Sequence, residues 1–172
     1  MTDQPTSKDA ELLARELGEL LNDSQSSVTT AESCTGGGVA AAITSIPGSS
    51  AWFHEGFVCY SNEVKSRRLG VPKELLSYYG AVSQPVVRAM VVGALQLARA
   101  DYAVAVSGIA GPDGGSDDKP VGTVWIASGK KGGVTQAQKF LFEGGRKDIR
   151  SASVIEALAQ TIDMIKEGAA SN

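Results

Sequence analysis

Ser33 stands in the run Thr30-Ala31-Glu32-Ser33-Cys34-Thr35-Gly36-Gly37-Gly38, between an apolar stretch and a series of small residues. A hydroxyl at such a strand-to-helix turn is a candidate nucleophile. The backbone N–H groups beside it, those of Thr35, Gly36 and Gly37, can bind an anion or a developing oxyanion. The same pattern also fits a capping hydroxyl on a tightly packed helix. It is not a Walker A loop, because the Gly-Lys-Ser/Thr ending is missing, and it is not a G-x-S-x-G elbow. Cys34 is a weaker nucleophile candidate, since no histidine is positioned by sequence to activate it. Cys59 reads as core.

A serine needs a base. Tyr60-Ser61-Asn62-Glu63-Val64-Lys65 offers Lys65. If Asn62 caps a helix, Lys65 falls in its first turn, where the positive end of the helix dipole disfavours an ammonium. That environment lowers its pKa toward a neutral amine able to accept a proton. Read singly, Lys65 also fits an exposed polar helix face, and Tyr60 a strand-end aromatic.

Two further segments suit a ligand. Ser107-Gly108-Ile109-Ala110-Gly111-Pro112-Asp113-Gly114-Gly115 is a shaped loop that follows an apolar strand abruptly. Glu143-Gly144-Gly145-Arg146-Lys147-Asp148-Ile149-Arg150 opens a helix with cations, against the dipole, as a phosphate-holding site would. Loop shaping alone and a solvated basic turn are the plainer readings.

Composition narrows the chemistry. The chain has 172 residues and a single histidine, His54, within a strand segment that suits a sheet edge. A Ser-His-Asp triad would have to use it, and a multi-His zinc site is impossible. Two cysteines exclude a Cys-rich metal site or a disulfide scaffold and fit a reducing cytoplasm. No cofactor is expected. A net charge of −3 argues against nucleic acid held on a basic face. No apolar run reaches membrane-span length, and the polar N-terminus is no signal peptide.

These candidates must be positioned by a scaffold. Leu13, Leu17, Leu20 and Leu21 predict an amphipathic helix over 8–22. A short buried strand covers Val28 to Ala31, and a small-residue helix Gly36 to Thr44. Ala51 to Tyr60 reads as a strand. Short helices follow from Ser61-Asn62 to Leu69 and from Pro72 to Tyr79. Ser83-Gln84-Pro85 marks a helix start, a capping hydroxyl with proline in the first turn, and that helix runs through Arg99. Asp101 to Ser107 is an apolar strand, and Val121–Ser128 pairs with Val134–Phe142 as a hairpin. The last helix spans about Arg146 to Lys166. The pattern predicts one layered α/β domain over 1–172 with a mixed sheet, frayed over 1–6 and 168–172. Glu32–Gly38, Tyr60–Lys65 and Ser107–Gly115 fall at strand ends, where such folds bind ligands.

These segments, in this order and together with Lys119-Pro120-Val121-Gly122-Thr123-Val124, resemble the CinA C-terminal domain family over roughly 8–167. The resemblance implies a three-layer α/β/α arrangement, and hydrolysis of nicotinamide mononucleotide to nicotinic acid mononucleotide and ammonia, without a metal. It implies Ser33 and Lys65 as the working pair with Tyr60 nearby, and Ser107 where the family often has threonine. It implies Arg146 as the binding arginine, with Lys147 and Arg150 as neighbouring alternatives. Ser107, Gly108 and Arg146 would then hold the substrate. A homodimer is the default expectation. Still open are a non-catalytic nucleotide-binding or regulatory module, an interaction protein with a defunct site, and an amidase for another carboxamide.

Overall fold

The inner strand β1 (Val28–Glu32) is buried at every residue. The computed structural model describes residues 7–170. Around β1 the chain builds α1 (Ser7–Asp23), α2 (Gly38–Thr44), β2 (Phe53–Val58), α3 (Asn62–Leu69), α4 (Lys73–Tyr79), α5 (Gln84–Ala98), β3 (Tyr102–Gly108), β4 (Thr123–Lys130), β5 (Thr135–Leu141) and α6 (Arg146–Ala170). A single 3-10 turn at Ser49–Ala51 leads into β2.

The sheet order is β2-β1-β3-β4-β5. β1 runs parallel to β2 and β3, with Glu32 level with Val106. β4 and β5 are antiparallel to their neighbours, as expected of the hairpin. The sheet is therefore mixed, and helices cover both faces. Because successive strand residues point to opposite faces, β3 sorts its own side chains. Val104 and Val106 join Val28, Ile126 and Leu17 under α1, α2 and α6. Ala103 and Ala105 join Ala31, Val87 and Met90 under α3, α4 and α5. The alanine face is thin, and the helices above it sit close to the sheet and to one another. A Cβ on Gly93 of α5 would lie 1.9 Å from the Leu69 carbonyl oxygen at the end of α3, so only glycine permits that crossing.

Three expectations change. The helix predicted from Gly36 starts at Gly38, because Gly36 and Gly37 take left-handed φ values of 61° and 94° and form the turn instead. Ser83 precedes α5 as expected, but its hydroxyl donates to the Gly80 carbonyl at 2.8 Å and does not cap the helix. α6 continues through residues 168–170, which were expected to fray. The expected fraying of 1–6 and 171–172 falls outside the described residues. Among the described residues no helix is long and apolar enough to cross a membrane.

Candidate active site

β1 ends on two consecutive side chains that the pleat sends to opposite sides. Glu32 goes to the α2 side and Ser33 to the α3 side. Past Glu32 the chain stays tied to β3, since Ser33 N–H donates to the Val106 carbonyl at 2.9 Å. On the α3 side, Ser61 caps the helix by accepting from Val64 N–H at 3.2 Å. Of the Ser61-Asn62 pair expected to cap, Ser61 is the cap, Asn62 is the first helical residue and Lys65 the fourth.

Lys65 is only 1% exposed. Its Nζ lies 2.9 Å from Ser33 Oγ, 3.0 Å from the Cys59 carbonyl oxygen and 3.1 Å from that of Tyr60. No carboxylate pairs with it among the described residues. Burial pushes its pKa down from 10.5, while the neighbouring thiols of Cys59 and Cys34 pull weakly the other way. Desolvation therefore does what was expected of the helix dipole. Nζ donates to all three oxygens; once deprotonated it would keep two N–H bonds to the carbonyls and turn its lone pair to the Ser33 hydroxyl proton. A contact of this length is one that a general base and a nucleophile require. Cys34, next along the chain, is buried, and its thiol is pushed up to about 11, so it remains protonated and poorly nucleophilic near neutral pH.

Ser33, Cys34 and Lys65 lie at an open cleft of about 210 Å³. Ala81 and Val82, between α4 and α5, form one wall. Ser107, Gly108 and Ala110 form a second, and Tyr60, Asn62 and Arg146 the rim. Ser107 is 1% exposed and its hydroxyl donates to the Ala81 carbonyl at 2.9 Å, so it binds one wall to the other. Arg146 donates from one guanidinium nitrogen to the Gly111 carbonyl at 2.9 Å and from the other to the Tyr60 hydroxyl at 3.2 Å. The Tyr60 phenol thus meets Arg146, while only its backbone carbonyl touches Lys65. A larger groove of about 400 Å³ among α1, α2 and α6 holds none of these residues.

Thr35, Gly36 and Gly37 are not brought to the cleft lining. The Gly36 N–H already donates to the Ser33 carbonyl at 3.0 Å, and the Thr35 hydroxyl to Glu32 at 2.8 Å. Arg150 reaches the Thr35 carbonyl at 2.9 Å, behind the turn, which leaves Arg146 as the arginine at the cleft. Lys147 is exposed and absent from the lining. His54 is exposed on the edge strand β2. Two residues escaped sequence reasoning. Asn62 was read as a cap and lines the cleft instead. Glu32 looked like one more residue of the motif, with no polar partner visible at a fixed spacing. Among the described residues no three His, Cys, Asp or Glu side chains gather as a metal site would need.

Fold and cleft together define a three-layer α/β domain with a serine and a buried lysine in contact at the carboxyl edge of its parallel strands. The chain belongs to the CinA C-terminal domain family, whose sequence model matches residues 10–165. It is 54% identical over 152 residues to the nicotinamide-nucleotide amidohydrolase PncC of Escherichia coli K12, covering 87% of this chain and 92% of that one. It is 58% identical over 146 residues to the protein of the same name from Pseudomonas putida, covering 85% and 91%. The crystal structure of the competence/damage inducible protein CihA from Agrobacterium tumefaciens superposes with a TM-score of 0.89 at 44% identity, covering 95% of this chain and 98% of that one.

Proposed function

We propose that this protein hydrolyses the carboxamide of nicotinamide mononucleotide, giving nicotinic acid mononucleotide and ammonia, with Ser33 as nucleophile and Lys65 as base. The observation that carries the reading is the 2.9 Å contact between Ser33 Oγ and a buried Lys65 Nζ without a counter-charge. The names of the relatives supply the substrate class.

Ser33 Oγ attacks the carboxamide carbon as its proton passes to the Lys65 lone pair. The oxyanion is met by the Cys34 N–H, because Ser33 and Gly36 N–H are already donated and Thr35 and Gly37 lie outside the cleft lining. One such donor is worth about 2.7–4 kcal/mol in a well-formed oxyanion hole. Lys65 returns the proton to the amide nitrogen, the C–N bond breaks and ammonia leaves an acyl-serine. Water then attacks the acyl carbon, again losing a proton to Lys65, and the acid departs as Ser33 is reprotonated. Arg146 holds the phosphate and Ser107 with Gly108 shapes the wall beside it. None of these steps calls on a metal or cofactor. Lys65 carries both protons of the cycle, one from Ser33 to the departing nitrogen and one from water back to Ser33.

Ammonia release from nicotinamide mononucleotide tests the assignment. Ser33→Ala and Lys65→Met should each lower kcat by about 10⁴-fold or more. The double variant should be no worse than the single ones, because residues that act as a unit are non-additive. A folded Ser33→Ala protein with wild-type turnover would sink the nucleophile. Tight nucleotide binding with no turnover by the wild type would make the protein a binding module.

A further inference from the structure

Glu32 is fully buried, yet it takes no part in the chemistry above. One oxygen accepts from the Thr35 hydroxyl and from Val39 N–H, both at 2.8 Å. The other accepts from Ala40 N–H at 3.0 Å. The residue that flanks α2 at its start is Gly37, which has no side chain with which to cap it. Glu32 therefore reaches from the end of β1 to the first turn of α2 and does the capping from a distance. The turn it closes contains Ser33. Arg150 holds the same turn from behind through the Thr35 carbonyl, and Val106 holds Ser33 N–H from the side.

We propose that Glu32 is a positioning residue for the hydrolysis: its carboxylate locks the Ser33–Cys34–Thr35 turn to α2 and so holds Ser33 Oγ within hydrogen-bonding distance of Lys65 Nζ. The inference rests on the Ser33–Lys65 reading. Both carboxylate oxygens are engaged, so the side chain cannot rotate, and it cannot move without releasing a buried donor. Ser33 is its covalent neighbour on the opposite face of the strand end, so any slack at Glu32 becomes slack in the direction of Ser33 Oγ. A displacement of about 1 Å at a reacting group can cost 10²-fold in rate.

The test is steady-state ammonia release by Glu32→Gln, Thr35→Val and Thr35→Ser, per folded molecule as judged by circular dichroism, with Ser33→Ala as control. Glutamine keeps the shape but places an amide N–H₂ against a backbone N–H. Glu32→Gln should lose about 10- to 100-fold in kcat with KM changed less than about threefold and the acid limb of the kcat–pH profile unmoved. Thr35→Val should lose less, and Thr35→Ser, which keeps the hydroxyl, should restore wild-type kcat. A folded Glu32→Gln enzyme with wild-type kcat overturns the proposal. So does a shift of the acid limb, which would make Glu32 an electrostatic partner of Lys65. If Glu32→Gln does not fold, the two Thr35 variants decide: equal, wild-type kcat in both overturns it. Full activity in Ser33→Ala would instead remove the Ser33–Lys65 reading itself, a result distinct from any of these.

Discussion

Two ionisable side chains are buried at the same strand end, and the fold treats them in opposite ways. Glu32, on the α2 side, receives one O–H and two N–H groups and is fully satisfied as an acceptor. Lys65, on the α3 side, meets two carbonyls and one hydroxyl, with no opposite charge to hold its proton. The first arrangement ties the chain together. The second leaves an amine whose charged form burial disfavours. α6 repeats the division one turn apart: Arg150 serves the Glu32 side, and Arg146 the cleft. Burial alone does not distinguish scaffold from site. What the buried group's partners can exchange does.

The sharpest way to break this comparison is to remove each charge and compare stability. Glu32→Leu strands three donors, two of them buried and each of those worth about 1–3 kcal/mol, and should unfold several degrees below wild type. Lys65→Met should abolish turnover without such a loss, since an apolar group replaces a buried amine that has no opposite charge beside it and whose ionisation burial opposes. Its stability relative to wild type also has a sign. The folded protein binds the Lys65 proton more weakly than the unfolded chain does, so wild-type stability rises with pH from the lowered pKa up to 10.5. The advantage of Lys65→Met should therefore be greatest at low pH and shrink toward pH 10.5 in thermal melts. Equal destabilisation by the two variants at all pH values would erase the distinction.

A smaller effect sharpens it on α6. Arg146→Ala should raise KM for nicotinamide mononucleotide about tenfold or more, with a lesser change in kcat, in steady-state assays. Arg150→Ala should leave KM near wild type. The smallest effect belongs to Tyr60→Phe, which deletes only the phenol contact to Arg146. KM should rise by less than about threefold with kcat unchanged. A large fall in kcat would put the phenol in the proton path.

Much of this arrangement was legible in the residues. Alternation and turn residues foretold the hairpin and the mixed sheet, and the motif order brought Ser33, Lys65 and Arg146 to one place. What escaped was direction. Whether Ser61 or Asn62 caps α3 depends on where the strand before it lets go, and both residue types can cap. The Ser107 hydroxyl looked free for a ligand, but its partner, Ala81, lies 26 residues away and only packing brings it near. The Tyr60 phenol turned from Lys65 to Arg146 for the same reason, across 86 residues. The lowered pKa of Lys65 is legible from the helix start, but its largest cause, burial to 1% exposure, is not.

The carbonyls that hold Lys65 have one more consequence, for the solvent the enzyme can work in. Dissolved ions screen exposed charges over about 10 Å at 0.1 M salt, but reach buried groups far less. The amine is tuned by dryness and by fixed backbone dipoles, and neither presents a field to bulk water. Ionic strength can loosen the grip of Arg146, on the exposed rim, upon an anion. It has little purchase on the proton shared between Ser33 and Lys65, so salt should act on capture and spare turnover.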